Sequence, residues 1–600
     1  MLRSFFKNII DGYGTDEKGI LGKTFVSSEV SGSVAQGKRK GILSRLEKYG
    51  EKSTAIASST SSKTYGSALI TFGLLTLLIY FIHEYFGLFG VSDTTDLTFG
   101  IIASVIGIPC LLFDKPIGDV LKENALTDFI VYEFFCIRRI HTAKDARGIP
   151  VFVGVVAGAA VAVLGYFMPI EAVMITIGVI AFVFLSFLSP ELPFFSSILI
   201  MPYLSLIPYS DAVLSFIIAV TVISLLRKVL YGKRALFIEQ YDIFLTLVMT
   251  MILLSGIFVK GYESFGGSVF MVVMSLGYLI SANLLINRRI SDLALNAFAL
   301  SSVPVSVYSI YCGVRAFALG YAKEFIDVGI SSTFPSTDSA AVFLSVALIL
   351  SLALLRQAKG MTRVAYIAVV VLDSVALVLS GELLSIGALV LGLSVVLFSR
   401  SRIATLVAII IAFLLPYTLL LLPNGVFDAI LGYVPGLEDS ESISELWRSA
   451  LLAFRDNAWL GIGIGGESFT EEMLDYGITG HINANNIFIE LGLEAGALSL
   501  IFFVYLLVIR LRHRTVYFGY ITRSSVAKQS PYICAALLCL VSVGAYNYLW
   551  EYMPSFYLFF CVFGIESASL RIAKRENDDR VLYYEDTRTP DRSQIDIEIG

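Results

Sequence analysis

The sequence predicts an all-α protein that crosses a membrane about 14–16 times, with one large loop outside the membrane. Three observations carry that expectation. Apolar residues make up 56% of the 600 residues and charged ones only 16%, with a mean hydropathy of +0.78, whereas roughly a quarter of a soluble chain is charged. Runs such as Ser67 to Gly90 meet the about 20 apolar residues that a helix needs to cross a hydrocarbon layer about 30 Å thick. These runs are continuous rather than alternating, which suits helices and not the strands of a membrane barrel.

By that length rule the spans fall near 67–90, 97–113, 150–168, 169–189, 193–208, 211–227, 242–260, 268–286, 293–312, 338–356, 364–380, 382–399, 403–422, 487–508, 531–549 and 554–570. Pro190, Pro193, Pro202 and Pro208 interrupt the apolar run from Phe184, so a re-entrant hairpin is an alternative there. The chain therefore divides into a tail (1–66), a first set of helices (67–422), an external loop with a short helix (423–486), a second set of helices (487–570) and an acidic tail (571–600) that reads as disordered. Residues 1–64 hold no long apolar run and do not read as a signal peptide.

Lys and Arg in the short loops give the orientation. Clusters lie at Arg138–Arg139–Lys144–Arg147, Arg227–Lys228–Lys233–Arg234, Arg288–Arg289, Arg356–Lys359–Arg363, Arg400–Arg402, Arg510–Arg512–Arg514 and Arg571–Lys574–Arg575. An even number of spans and a cytoplasmic N-terminus put all of them on one side. Both termini are then cytoplasmic, and the segment from Pro423 to Asn486 is outside.

Metal chemistry is not expected. The six cysteines (Cys110, Cys136, Cys312, Cys534, Cys539, Cys561) are scattered, and none lies in the external loop. The four histidines (His83, His141, His481, His513) are equally dispersed, so neither zinc spacing nor a disulfide framework is visible. The net charge of −5 is sorted by membrane side and points to no nucleic acid.

The external loop is the informative region. Ser442 and Glu445 have the spacing of a capping box opening a helix, and Trp447, Ala450, Leu451 and Phe454 repeat as one apolar face. Arg448 and Arg455 share another face, about 10 Å apart. Asp456–Asn457 ends the helix, and the run Gly461 to Gly466 follows. That run lacks the strand that a dinucleotide fingerprint needs. It reads as a tight backbone crossing, or alternatively as a nest of amides for an anion.

The stretch ELWRSALLAFRDNAWLGIGIGG, followed by GHINANNIFIELGLEAGALSL, resembles the O-antigen ligase and polymerase family of bacterial envelope proteins. The likeness rests on Trp447, Ala450, Leu451, Asp456, Asn457, Gly461, Gly463, Gly465, Asn486, Glu494 and Gly496, with a second stretch at SSTFPSTDSAAVFL (331–344). It covers about half the chain, from Leu293 to Val508. The resemblance implies glycosyl transfer on the outer face of a bacterial inner membrane. The donor is a polyprenyl-diphosphate-linked glycan, the acceptor a hydroxyl on a glycan or glycolipid, and no metal or soluble cofactor takes part. Such chemistry asks for cations at the departing diphosphate and a base near the attacking hydroxyl. Three polar positions depart from the family: Gly329 stands where members carry Arg, Ser380–Gly381–Glu382–Leu383 where they carry Ser-Arg, and Asn485 where they carry His.

On that basis the expected catalytic residues are His481, Arg448 and Arg455. His481 is the loop's histidine, with an ordinary pKa near 6.5, and the arginines suit a diphosphate clamp. Arg315, Glu382, Asn485, Asn486 and Glu494 are the expected substrate-binding residues. Each has a plain alternative: solvated loop charge for His481, Arg448 and Arg455, snorkelling for Arg315, a shallow site at the water boundary for Glu382, and structural hydrogen bonds for Glu490 and Glu494. The competing functions are a non-catalytic binder of lipid-linked glycans and a flippase or transporter. A transporter would carry charged residues along the middle of several spans.

Overall fold

The computed structural model describes residues 52–86, 94–135, 148–230, 236–239, 241–259, 262–320, 329–398, 402–418, 440–517 and 525–588. Among them there is no strand. The helices in chain order are α1 (Ser62–Phe86), α2 (Thr94–Leu112), α3 (Ile117–Glu123), α4 (Ala125–Asp128), α5 (Val151–Phe167), α6 (Ile170–Leu188), α7 (Glu191–Ile200), α8 (Ser210–Leu230), α9 (Asp242–Phe258) and α10 (Tyr262–Leu284). They continue with α11 (Arg288–Ala318), α12 (Thr337–Leu355), α13 (Met361–Leu379), α14 (Leu383–Leu397), α15 (Arg402–Thr418), α16 (Ser440–Asp456), α17 (Gly466–Asp475), α18 (Ile487–Tyr517), α19 (Ser525–Gly544) and α20 (Met553–Arg588).

Among the described residues ten helices are long and apolar enough to cross a membrane, and five further apolar stretches are shorter. The protein is therefore an all-helical, multi-pass membrane protein. In its described residues each expected span falls on a helix; 67–90 is described only to Phe86, 242–260 to Val259 and 403–422 to Thr418. The proline-interrupted region forms two helices. α6 ends before Ser189–Pro190, and α7 passes directly into a 3-10 turn, Met201–Leu206, at Pro202. One expectation needs correction. The tail after Arg571 stays helical to Arg588, because a helix already nucleated by a buried span propagates cheaply into polar sequence. The expected capping box involves the side chain of Ser442, which lies outside the described residues.

Among the described residues the chain forms two compact units, 52–193 with 223–230, and Phe194–Val222 with 236–588. In the first, α1 packs on α2 and α5 through small residues. A Cβ on Gly73 would lie 2.7 Å from the Gly100 carbonyl oxygen, and one on Gly66 would lie 2.9 Å from that of Gly107. Close backbone approach of this kind drives helix association in lipid, where apolar burial no longer does.

In the second unit α12 is surrounded, with Ala340 to Val342, Val346, Ala347, Ile349 and Leu350 inaccessible, and α11, α13, α14 and α19 pack around it. Basic residues from separate helices lie at one end of this bundle. Arg510 bonds Glu239, Asp242 and the Tyr278 hydroxyl, Arg571 donates to the Ala282 and Leu285 carbonyls, and Arg288 donates to Gln357. The segment 440–486 contacts the opposite helix ends through Ser264 near the start of α10, and α18 does so through Glu494, whose carbonyl accepts from Ser255 near the end of α9.

Candidate functional site at the glycine loop

Helix α16 is fixed by its buried residues Leu446, Trp447, Ala450 and Ala453. All but Trp447 join a cluster with Ile462, Phe469, Met473, Ala484 and Leu493. The expected apolar face is thus corrected by part of a turn: Leu451 is 52% exposed, because the buried stripe runs through 446, 450 and 453. Trp447 Nε1 donates to the Ala484 carbonyl at 2.7 Å, pinning the helix to the 481–486 turn.

The glycine loop then crosses α18. Ile462 N donates to the Leu493 carbonyl at 2.8 Å, and Ala497 N donates to the Ala458 carbonyl at 2.7 Å. Helix α18 is broken at this crossing, where Gly496 adopts φ 82° and ψ 168°. A Cβ on Gly461 (φ 77°) would stand 2.3 Å from the Glu494 carbonyl oxygen, and one on Gly496 would stand 2.3 Å from that of Trp459. Only glycine fits either position.

Further loop amides are engaged: Ile464 N donates to Ser264 Oγ at 2.6 Å and Gly465 N to Glu494 Oε1 at 2.9 Å. An anion nest is the poorer reading, since a buried carboxylate already occupies one of these amides. Glu494 Oε2 also accepts from Tyr548 at 3.1 Å. Glu490, one turn earlier and equally buried, accepts from Ala484 N at 2.6 Å.

The residues before α18 are largely structural. Asn486 Oδ1 accepts from Phe488 N at 2.9 Å and Ile489 N at 3.1 Å, as an N-cap does, while its amide donates to the Ala545 carbonyl at 2.8 Å. Asn483 donates to Glu551 at 3.0 Å. Asn485 is left-handed (φ 50°) and half-exposed beside them. His481, also half-exposed, uses its carbonyl to accept from Thr470. At the far end of α16, Asp456 accepts from Tyr476 at 2.9 Å and from Arg455 at 3.2 Å. The Tyr476 hydroxyl and then Arg455 hold Asp456 below its ordinary range, while desolvation and then Asp456 push Tyr476 up to about 12.

A second polar cluster lies at the same end of this unit. Ser336 caps α12 by accepting from Ser339 N at 3.2 Å, and Thr337 donates to Glu382 Oε1 at 2.6 Å. Glu382 stands in the short connection 380–382, outside both α13 and α14. Burial and then the adjoining Asp338 carboxyl push it up to about 7. Phe334 meets Tyr552 edge-to-face, with ring centroids 6.2 Å apart, so the connection from Gly544 to Met553 joins the two clusters. Gly329, one of the departures from the family, has a positive φ of 53° with open space around it.

The structure thus ties Asn486 and Glu494 each to the 545–548 connection, leaves Asn485 beside Asn483 with His481 nearby in chain, and places Glu382 in the adjoining cluster. It leaves Arg448 and Arg455 on the exposed face of α16 and Arg315 exposed near the end of α11. No hydrogen bond or ion pair joins Arg315, Arg448 and His481 to one another. Sequence reasoning missed Asp373, which is fully buried within α13. It accepts from Ser302 at 3.0 Å and from Ser306 at 2.6 Å on α11. A lone carboxyl inside the apolar run AYIAVVVLDSVALVL was the available signal. Among the described residues no group of three His, Cys, Asp or Glu is arranged to hold a metal ion.

The chain matches no model of a known protein family and no curated protein.

Proposed function

We propose that this protein is a membrane glycosyltransferase of the O-antigen ligase or polymerase type, working at the bundle end that carries residues 440–486. In this reading that end is the outer face of a bacterial inner membrane, and both termini are cytoplasmic. The observation that carries it is the crossing of Gly461–Gly465 over the break at Gly496. It ties the family-like stretch around Gly461 to the one around Gly496, with Glu494 fastening the loop.

A polyprenyl diphosphate keeps its charged group at that height. Arg448, Arg455 and Arg315 are exposed cations suited to the diphosphate, and His481 suits the acceptor hydroxyl. The acceptor oxygen attacks the anomeric carbon of the donor glycan, its proton passes to the base, and the bond to the diphosphate breaks with the electron pair leaving on phosphate. The partners are a lipid-linked glycan donor, a glycan or glycolipid acceptor, and membrane lipids. Purified protein given a lipid-linked oligosaccharide and an acceptor should release polyprenyl diphosphate in step with conjugate formation. Binding of donor without any release identifies the non-catalytic alternative.

Asp373 favours a second reading, transport of a lipid-linked glycan coupled to a cation or proton. Ionisable groups deep in a span are costly and mark pathways. Translocation of the donor across sealed vesicles, abolished by Asp373→Asn, would establish it.

A further inference from the structure

We propose that the exposed side of α16, continued by Trp459, is a membrane-anchoring surface seated in the headgroup layer of anionic phospholipid. This does not rest on the glycosyl-transfer reading. Arg448, Leu451, Leu452 and Arg455 recur at three- and four-residue spacing and are all exposed, so cations and leucines alternate on one side. Three residues past the helix, Trp459 is 79% exposed, which is a large apolar surface to leave in water.

The height of this surface is fixed by α18. The Ala458 carbonyl accepts from Ala497 N, and the Trp459 carbonyl abuts Gly496. Below that junction Leu498, Ile501, Tyr505 and Val508 form an exposed stripe on a membrane-spanning segment, so lipid covers them. Trp459 is exposed beside Gly496, at the head of that stripe where the span meets the loop, the level at which tryptophan is favoured in bilayers. Leucines interleaved with arginines are the pattern of a helix lying in the interface, and phosphate headgroups supply the opposite charge. Continuity with the lipid-covered stripe makes the occupant a bilayer.

The test uses full-length protein reconstituted in phosphatidylcholine vesicles with or without phosphatidylglycerol. Emission lost in Trp459→Phe defines the signal of Trp459. A lipid carrying a nitroxide near its headgroup should quench most of that signal, and aqueous iodide should not. The double variant Leu451→Ser/Leu452→Ser should raise hydrogen exchange in 440–456 in vesicles. Arg448→Glu/Arg455→Glu should do so chiefly where phosphatidylglycerol is present. Iodide quenching with no lipid quenching overturns the proposal. So does a Trp459 signal that is shielded from both and changes with protein density, since that outcome assigns the surface to a second copy of the chain.

Discussion

Gly461 passes Glu494 so closely that a methyl group on its Cα would lie 2.3 Å from the Glu494 carbonyl oxygen, while the Glu494 side chain reaches forward to Gly465 N at 2.9 Å. The same glutamate is therefore both the obstacle the loop must clear and the clasp that holds it.

Gly461→Ala and Gly496→Ala should each destabilise the protein. The left-handed backbone alone costs about 1–2 kcal/mol for a residue with a Cβ, and the carbonyl contact adds to it. Thermal unfolding in detergent should show a clear loss for both. Gly178→Ala, in α6 with nothing within 4 Å, should not; an equal loss there would remove the special role of the crossing.

Glu382 supplies a pH dependence. Its folded pKa is raised to about 7 from an ordinary value near 4.3. The stability it contributes is therefore complete below about 4.3 and is lost as pH rises through about 7. Glu382→Gln keeps a neutral polar group there. Its melting curve should coincide with wild type at pH 4.5 and lie higher at pH 8, whereas parallel curves would show that the carboxyl does not titrate in this window.

Sidedness is open to direct labelling. Asp475 and Arg289 are both exposed but belong to opposite ends of the bundle. In intact cells an impermeant thiol reagent should modify Asp475→Cys and spare Arg289→Cys. The reverse pattern would invert the proposed orientation.

For the proposed transfer, Arg448→Ala, Arg455→Ala and Arg315→Ala should cut product formation by roughly a hundredfold or more, the usual consequence of removing a cation that meets developing charge. His481→Ala should lower turnover more than donor binding. Arg363→Ala, at the opposite end, serves as the control. Normal product from all four would move the chemistry to Glu382 and its neighbours.

The membrane fold was legible because helix length in lipid is dictated by bilayer thickness, and the apolar runs carry that length directly. The break at Gly496 was not, since ELGLEAGALSL reads as one apolar helix and nothing local marks which glycine turns left-handed. The contact that demands it comes from Trp459, 37 residues earlier in sequence. Arg510 was read as one of a surface trio, yet it is buried between Glu239 and Asp242, partners more than two hundred and sixty residues away. Asn486 belonged to a family-like pattern, which cannot separate a ligand from a helix cap.

The break in α18 also shortens the path through lipid. From Ala497 to the buried Arg510 is about 20 Å of helix at 1.5 Å per residue, against a hydrocarbon layer of about 30 Å. Its partner α9 has only 17 residues. Beside this pair the mismatch is met by thinning of the bilayer, by snorkelling of flanking residues or by association, each at fractions of a kcal/mol for each ångström. The protein's own shape therefore distinguishes thin bilayers from thick ones before any headgroup is recognised.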